Sequence, residues 1–305
     1  MIKHGITPRF AEVGKIKIGG KGRATTSSNG KKFNPPVRFD HFVITTTERD
    51  QDGNFIADAA MMKLLAAHTG SDKPKEIPIR LPFDSIDLNF FTSYQMYTGN
   101  KCVCRGDGET ATQYTDKGER AVKCHPDTCE YLKAGKCKVS GILSCHIPLS
   151  MEVGGLYRFR THSWNSVSNI LASLNYISEQ TRGILQGLPL KLKFLKKATA
   201  DHGNVPTVTI VLDGVEMMKM RELAFQEFES RVKIGFDMKA LEDKAREAGV
   251  NIDTDDPEDI EAEFYAEDVT EPSPGVSADA AADKLKSQDA PPKAEAAQDK
   301  NGSLL

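Results

Sequence analysis

All six cysteines of the chain, Cys102, Cys104, Cys124, Cys129, Cys137 and Cys145, fall within residues 101–146, and two of them precede a histidine, in Cys124-His125 and Cys145-His146. Clustering of this kind gives the thiols one local job, either metal binding or disulfide formation. Disulfide frameworks belong to secreted chains that begin with an apolar leader. Residues 1–10 instead carry charges and a proline, and no later run approaches the roughly eighteen apolar residues that a membrane helix needs. The expectation is therefore a cytoplasmic protein with a structural zinc. Thiolates held at about 2.3 Å around a tetrahedral ion come from two chain segments, here residues 101–107 and 123–137. The ligands expected are Cys104, Cys124, Cys129 and Cys137. Cys104 precedes the turn Gly106-Asp107-Gly108, which lets the backbone fold back. Cys102 is the alternative to Cys104, and Cys145 is expected to pack under the strand that follows. Residues 106–118 are polar and turn-rich and read as a loop pinned at its base by the ion, with Asp107 and Glu109 as turn residues.

Charge is unevenly distributed. Residues 250–305 hold fifteen acidic and four basic side chains, whereas residues 1–249 hold 36 basic and 28 acidic ones. A basic body with an acidic tail results. Residues 271–305 are rich in Ala, Pro, Ser and Asp, with little to bury, and are expected to be disordered. Such a tail acts as a solubiliser, as a partner-binding segment, or as a nucleic-acid mimic covering the basic body.

Along the chain, the alternation of Val13-Gly14-Lys15-Ile16-Lys17-Ile18 predicts a strand. It leads into a glycine-rich basic stretch with Lys21, Arg23, Lys31 and Lys32. A second strand over 35–47 places Phe42 and Ile44 on one face. Asp58 caps a helix over 59–68 that stops at Gly70. A proline-bearing edge strand spans 76–83, and an aromatic strand spans 89–97. After the cysteines, Arg158 and Arg160 alternate with apolar residues on a strand, and Ser163 caps a helix with Val167, Ile170, Leu171, Leu174 and Ile177 in one stripe. Strands at 188–197 and 205–212 follow, the first with Lys191 and Lys193 outward. Helical residues 216–250 break at Gly235, and Asp237 caps the second piece. Met217, Met220, Leu223, Ala224 and Phe228 share a face of the first. Two strand–helix–strand units, around Arg38-Phe39 and Arg158-Phe159, look like repeats of each other.

Catalytic signatures are missing from the sequence: it has no G-x-S-x-G, no H-E-x-x-H, no Walker A sequence and no dinucleotide fingerprint. Adjacent residues of Thr161-His162-Ser163 point to opposite faces of a strand, which disfavours a nucleophile–base pair. A stripe of cations is suited to phosphate neutralisation. The residues expected to contact nucleic acid are Lys21, Arg23, Lys31, Lys32, Arg158, Arg160, Lys191 and Lys193.

Several of these pieces occur in a recognisable order: Pro36-Val37-Arg38-Phe39-Asp40, the Cys104-Arg105-Gly106-Asp107-Gly108 turn, Cys124-x4-Cys129-x7-Cys137, Ile147-Pro148-Leu149, the run from Gly155 to Ser163, and Leu188-Pro189-Leu190. In that order the chain resembles, over roughly residues 10–215, the recombination directionality factor-like proteins of tailed phages and prophages. Some relatives are labelled hydrolase or metal-binding protein. The resemblance implies a non-enzymatic partner of a large serine integrase that switches it from integration to excision, with a link to phage DNA replication. The extra cysteines, the longer C-terminal helix and the acidic tail depart from that pattern.

The expected architecture is α+β: an N-terminal β-rich half (1–97), a zinc-binding insertion (98–150), a strand–helix–strand half (151–215), C-terminal helices (216–250) and a disordered acidic tail (251–305). The expected function is that of a recombination or replication accessory protein binding an integrase, DNA or both. A single-stranded DNA-binding or annealing protein and a metal-dependent hydrolase or nuclease are the alternatives.

Overall fold

A computed structural model describes residues 10–22, 25–26, 32–33, 36–51, 54–98, 101–150, 155–199 and 203–249. The acidic tail expected to be disordered lies outside the described residues, as do Arg23 and Lys31. In chain order the elements are β1 (Ala11–Lys21), β2 (Thr25–Thr26), β3 (Lys32–Phe33), β4 (Pro36–Arg49), β5 (Phe55–Ala57), α1 (Ala59–Thr69), β6 (Glu76–Ile79), α2 (Ile86–Asn89), β7 (Phe90–Thr98), β8 (Lys101–Gly106), β9 (Thr110–Thr115) and β10 (Gly118–Lys123). There follow α3 (Glu130–Lys133), β11 (Cys137–Cys145), β12 (Gly155–Thr161), α4 (Trp164–Gln180), β13 (Leu190–Thr199), β14 (Gly203–Leu212), α5 (Met217–Ile234) and α6 (Met238–Glu247). The fold is α+β. A nine-stranded sheet runs β10-β9-β8-β7-β11-β12-β1-β4-β5, and a three-stranded sheet runs β14-β13-β6. Among the described residues every strand pairing in the large sheet is antiparallel except that of β1 with β12.

The period-two pattern of β4 sends Phe42 and Ile44 into a core, where both are fully buried. Phe42 meets Phe159 of β12 edge-on at 6.4 Å and Phe194 of β13 at 6.0 Å, so one aromatic ties the large sheet to the small one. The helix signals act where the sequence places them. Asp58 accepts the N–H of Met61 at 2.9 Å, Ser163 that of Ser166 at 3.4 Å and Asp237 that of Ala240 at 3.0 Å. Gly70 and Gly235 close their helices with φ of 71° and 68°, a conformation costly for any residue with a Cβ.

The two strand–helix–strand units occupy related positions. β4-α1-β6 and β12-α4-β13 each start in the large sheet and end in the small one. β4 and β12 flank β1 in opposite directions, and β6 pairs antiparallel with β13 through Ile79↔Leu190 and Ile77↔Leu192.

Two expectations are corrected. Residues 106–118 are not a loop pinned at its base: β9 lies within them, and β8, β9 and β10 extend the large sheet outward from β7, with β11 returning between β7 and β12. The strands escaped notice because both faces of this edge carry polar residues, which erases the alternation by which strands are read. Phe228 does not share the buried face of α5. It is 53% exposed, while Met220, Ala224 and Arg231 are the residues turned inward.

Arg231 is part of a polar knot that fastens α5 and α6 to the turn before β7. Its guanidinium contacts both oxygens of Asp84, at 2.5 and 3.3 Å, and Gln186 at 3.1 Å. Burial works against its charge, but Asp84 and Glu227 outweigh that and hold its pKa above the ordinary value. Asp84 also accepts the N–H groups of Leu185 and Gln186, both at 2.9 Å. Glu242 of α6 accepts those of Asp84 and Ser85 at 2.9 and 2.7 Å.

Candidate thiol cluster and cationic sheet face

Paired residues in neighbouring strands share a face, so register alone sorts the large sheet into two sides. On one side Cys104 and Cys137 flank Met96 across β8-β7-β11, and Gly106 and Val139 flank Tyr94 in the next row. Cys124 enters from beyond β10, its N–H bonded to the carbonyl of Glu109 at 2.8 Å. Its Sγ lies 2.7 Å from where a Cβ on Gly106 would be. The thiol therefore rests directly over the backbone of β8, a position that only glycine permits. The hairpin that makes this approach possible is fixed by Asp107, whose carboxylate accepts the N–H groups of Glu109 and Thr110 at 2.8 and 2.7 Å. Those bonds hold its carboxyl below the usual range and confirm it as a turn residue.

From Cys124 the chain turns at once. The N–H groups of Thr128 and Cys129 both point to the carbonyl of His125, Cys129 stands at the start of the single-turn α3, and Gly135 with φ of 69° redirects the chain into Cys137. Cys104, Cys124, Cys129 and Cys137 are thus collected at one end of the sheet from a strand, a turn, a helix start and a strand. They are close enough to sense one another. Burial first, then the neighbouring thiols, push Cys137 up to about 12 and raise Cys104. Among the described residues no group of three or more His, Cys, Asp or Glu is drawn together tightly enough to hold an ion.

A register shift between Met96 and Tyr97 separates Cys102 from Cys104: Cys104 pairs with Met96 but Cys102 pairs with Tyr97, on the other side of the sheet. The Cys102 thiol turns to the carbonyl of Cys104 at 3.6 Å. Cys145 is fully buried in the main core, its thiol pushed up to about 12 by burial.

Gly106→Ala is expected to drive a methyl into the Cys124 sulfur, the Ala111 Cβ and the Thr110 carbonyl, which lie 2.7, 2.8 and 2.9 Å from that position. The cost should be about 1–3 kcal/mol, measurable by urea denaturation. A change below about 0.5 kcal/mol would show that the hairpin relaxes.

The opposite side of the sheet is cationic. Arg105 and Lys138 flank Gln95 across β8-β7-β11, and Arg158 and Lys15 stand in a row with Ser144 and Thr45 across β11-β12-β1-β4. Arg160 lies one row further along β12, opposite Ile142. Glu12 answers Lys15 at 2.9 Å and Arg158 at 3.6 Å. The ring of Phe55 receives the charges of Lys15, Lys17 and Arg49 at 4.9, 5.1 and 4.9 Å.

The sequence-expected cations therefore separate. Arg158 and Arg160 belong to this face. Lys191 and Lys193 belong to β13 of the small sheet, where Glu76 holds them at 2.6 and 2.9 Å and is itself kept below the usual carboxylate range by them. Lys21 and Lys32 lie at the far end of β1 and in β3, and Arg23 and Lys31 fall outside the described residues. Arg105 and Lys138 were missed because they sit in β8 and β11, within residues 98–150, which were expected to be a zinc-binding insertion and not part of the sheet.

Thr161-His162-Ser163 makes contacts that shape the start of α4. Thr161 Oγ1 accepts the N–H of Ser163 at 3.2 Å, Ser163 caps α4, and His162 Nδ1 stands 3.0 Å from the carbonyl of Val139. None of the helices in the described residues is long and apolar enough to cross a membrane.

No curated protein and no solved structure matches the chain. The sequence profile of the family described as Gp3-like, recombination directionality factor-like, matches residues 13–217. That span runs from β1 through β14 to the first residue of α5 and takes in both the thiol cluster and the cationic face; the protein belongs to the recombination directionality factor-like family.

Proposed function

We infer that this protein is a phage recombination or replication accessory factor that works by binding an integrase, DNA or both, with the thiol-bearing edge of its sheet held by a structural zinc. Family membership over residues 13–217 carries the reading. Cys104, Cys124, Cys129 and Cys137 would hold the ion. The donor chemistry suits the ion, with Cys104 and Cys137 on strands that flank Met96 and a tight turn joining Cys124 to Cys129, though among the described residues the four are not drawn together as a metal site. Zinc bound by thiolates supplies folding energy and keeps the thiols deprotonated. The chain's own contribution is to bring the four residues together through the Gly106 approach and the α3 turn. Arg158 and Arg160 are the expected nucleic-acid contacts.

The test uses purified components. The large serine integrase encoded by the same phage is assayed on plasmids bearing its integration sites and its excision sites, with and without this protein. Addition should switch on excision and suppress integration, and the two proteins should co-elute. Neither change in recombination nor co-elution would end the directionality reading.

The cationic face also favours a second reading, single-stranded DNA binding. Charge-reversing Arg160→Glu should then weaken binding of a labelled oligonucleotide at least about tenfold at 50 mM salt, and raising the salt to 200 mM should weaken the unsubstituted protein further. Binding indifferent to both would exclude it.

A further inference from the structure

α5 carries an apolar stripe that the fold does not cover. The helix turns Met220, Ala224 and Arg231 toward the body. Met218, Phe225 and Val232 nevertheless remain 62%, 57% and 64% exposed, and Phe228 53%. Seven residues make two helical turns less about 20°, so Met218, Phe225 and Val232 stand in one line along the helix, with Phe228 on its flank. The buried residues lie about a third of a turn away, and the line faces water. With about half of a large side chain's ~200 Å² exposed in each case, the four leave about 400 Å² of contiguous apolar surface. A patch of that size marks an interaction site. It begins just beyond residues 13–217, the span matched by the family profile.

An apolar seven-residue repeat packs on a helix with the same repeat, because only then do the two lines stay in contact over several turns. A second copy of this chain supplies one, and charge selects its direction. Viewed down α5, Arg221 lies about 40° to one side of Phe225, whereas Glu222 and Glu229 lie about 60° and about 40° to the other. In a parallel pair opposite flanks meet, so Arg221 of each copy stands beside Glu222 of the other. In an antiparallel pair centred on Phe225 like flanks meet, and Glu222 faces Glu229. The parallel arrangement therefore sets two opposite-charge pairs beside the apolar layers. Within the chain Lys219 holds Glu222 at 2.8 Å and Arg221 touches Gln180. Both contacts lie at the exposed rim, where exchanging one partner for another costs little. Two stripes with the stems of Arg221 and Glu222 cover about 1,000 Å² in total, the lower limit for a specific interface, so the pair forms and separates with concentration.

We propose that two copies of this protein associate through parallel pairing of α5, with Met218, Phe225 and Val232 in successive layers and Arg221 of each copy against Glu222 of the other. The two-fold axis then runs along the paired helices, and the assembly presents each surface of the sheet twice.

Sedimentation velocity of the full-length protein from about 2 to about 200 µM tests the pairing. The monomer boundary should shift to that of a dimer, with a midpoint on the order of tens of micromolar. Phe225→Asp should abolish the shift while Tm changes by less than about 2 °C, because the ring is already in water. Arg221→Glu and Glu222→Arg should each weaken association at least about fivefold by setting like charges together, and an equimolar mixture of the two variants should restore it. A monomer at the highest concentration would overturn the proposal. A dimer that survives Phe225→Asp would place the contact elsewhere and overturn it too. Charge reversals that do not weaken association, or are not rescued by mixing, would reject the parallel pairing. A monomer whose co-elution with the integrase is lost on Phe225→Asp would assign the stripe to the integrase instead of a second copy.

Discussion

With the proposed zinc in place, Cys129→Ser is expected to lower the zinc content of the purified protein from about one ion per chain to less than about a tenth. Cys129 sits at the start of α3, between the turn that follows Cys124 and the strand that begins at Cys137. Losing it would remove one of the four proposed ligands. In isolated zinc-binding peptides the metal contributes about 10–16 kcal/mol. Here the sheet carries much of that load, so a fall in Tm of about 10 °C is expected, with hydrogen exchange rising in residues 101–137 and little changed in α4. Cys102→Ser is the control, since that residue pairs with Tyr97 rather than Met96, and it should keep its metal. A protein purified metal-free and unmoved by a chelator would remove the zinc altogether.

Arg231→Ala is expected to be as damaging, by a different route. The substitution leaves Asp84 inside the knot with its charge unanswered, and breaking a buried pair from one side costs about 3–5 kcal/mol. Asp84 is 17% exposed and Arg231 9%, so solvent has little access to either. Limited proteolysis should then cut first within α5 and α6. Pairing Arg231→Gln with Asp84→Asn should recover part of the loss, because the two charges disappear together. A single substitution costing less than about 1 kcal/mol would show that water reaches Asp84 freely.

Local signals carried much of the fold into the sequence. The caps at Asp58, Ser163 and Asp237, the stop at Gly235 and the alternation around Phe42 are each complete within a few residues, and each was readable there. The grouping of Cys104 with Cys137 was harder. It depends on both strands flanking Met96, a non-local fact, and the sequence offered only spacing. The cationic face was harder still. Lys15 stands beside Arg158 because β1 runs parallel to β12, and no short window contains both. Arg105 and Lys138 lie between cysteines, in strands whose polar residues hide the period-two pattern. Phe228 misled for the opposite reason. Its spacing fits the buried stripe of α5, but the helix has its core on one side alone and Phe228 falls just beyond it.

Cys104, Arg105 and Gly106 are consecutive on β8, so thiol, guanidinium and the sulfur-bearing gap alternate from one side of the sheet to the other. Sliding this strand by a single position would exchange the sides, thrusting a guanidinium among the sulfurs and a thiol among the cations. The bulge next to Met96 is the one place in the β7–β8 ladder where an extra residue is already absorbed. Insertions at the Asp116-Lys117 tip of the β9–β10 hairpin leave this parity untouched, whereas one extra residue between Cys104 and Gly106 would reverse it for the residues beyond.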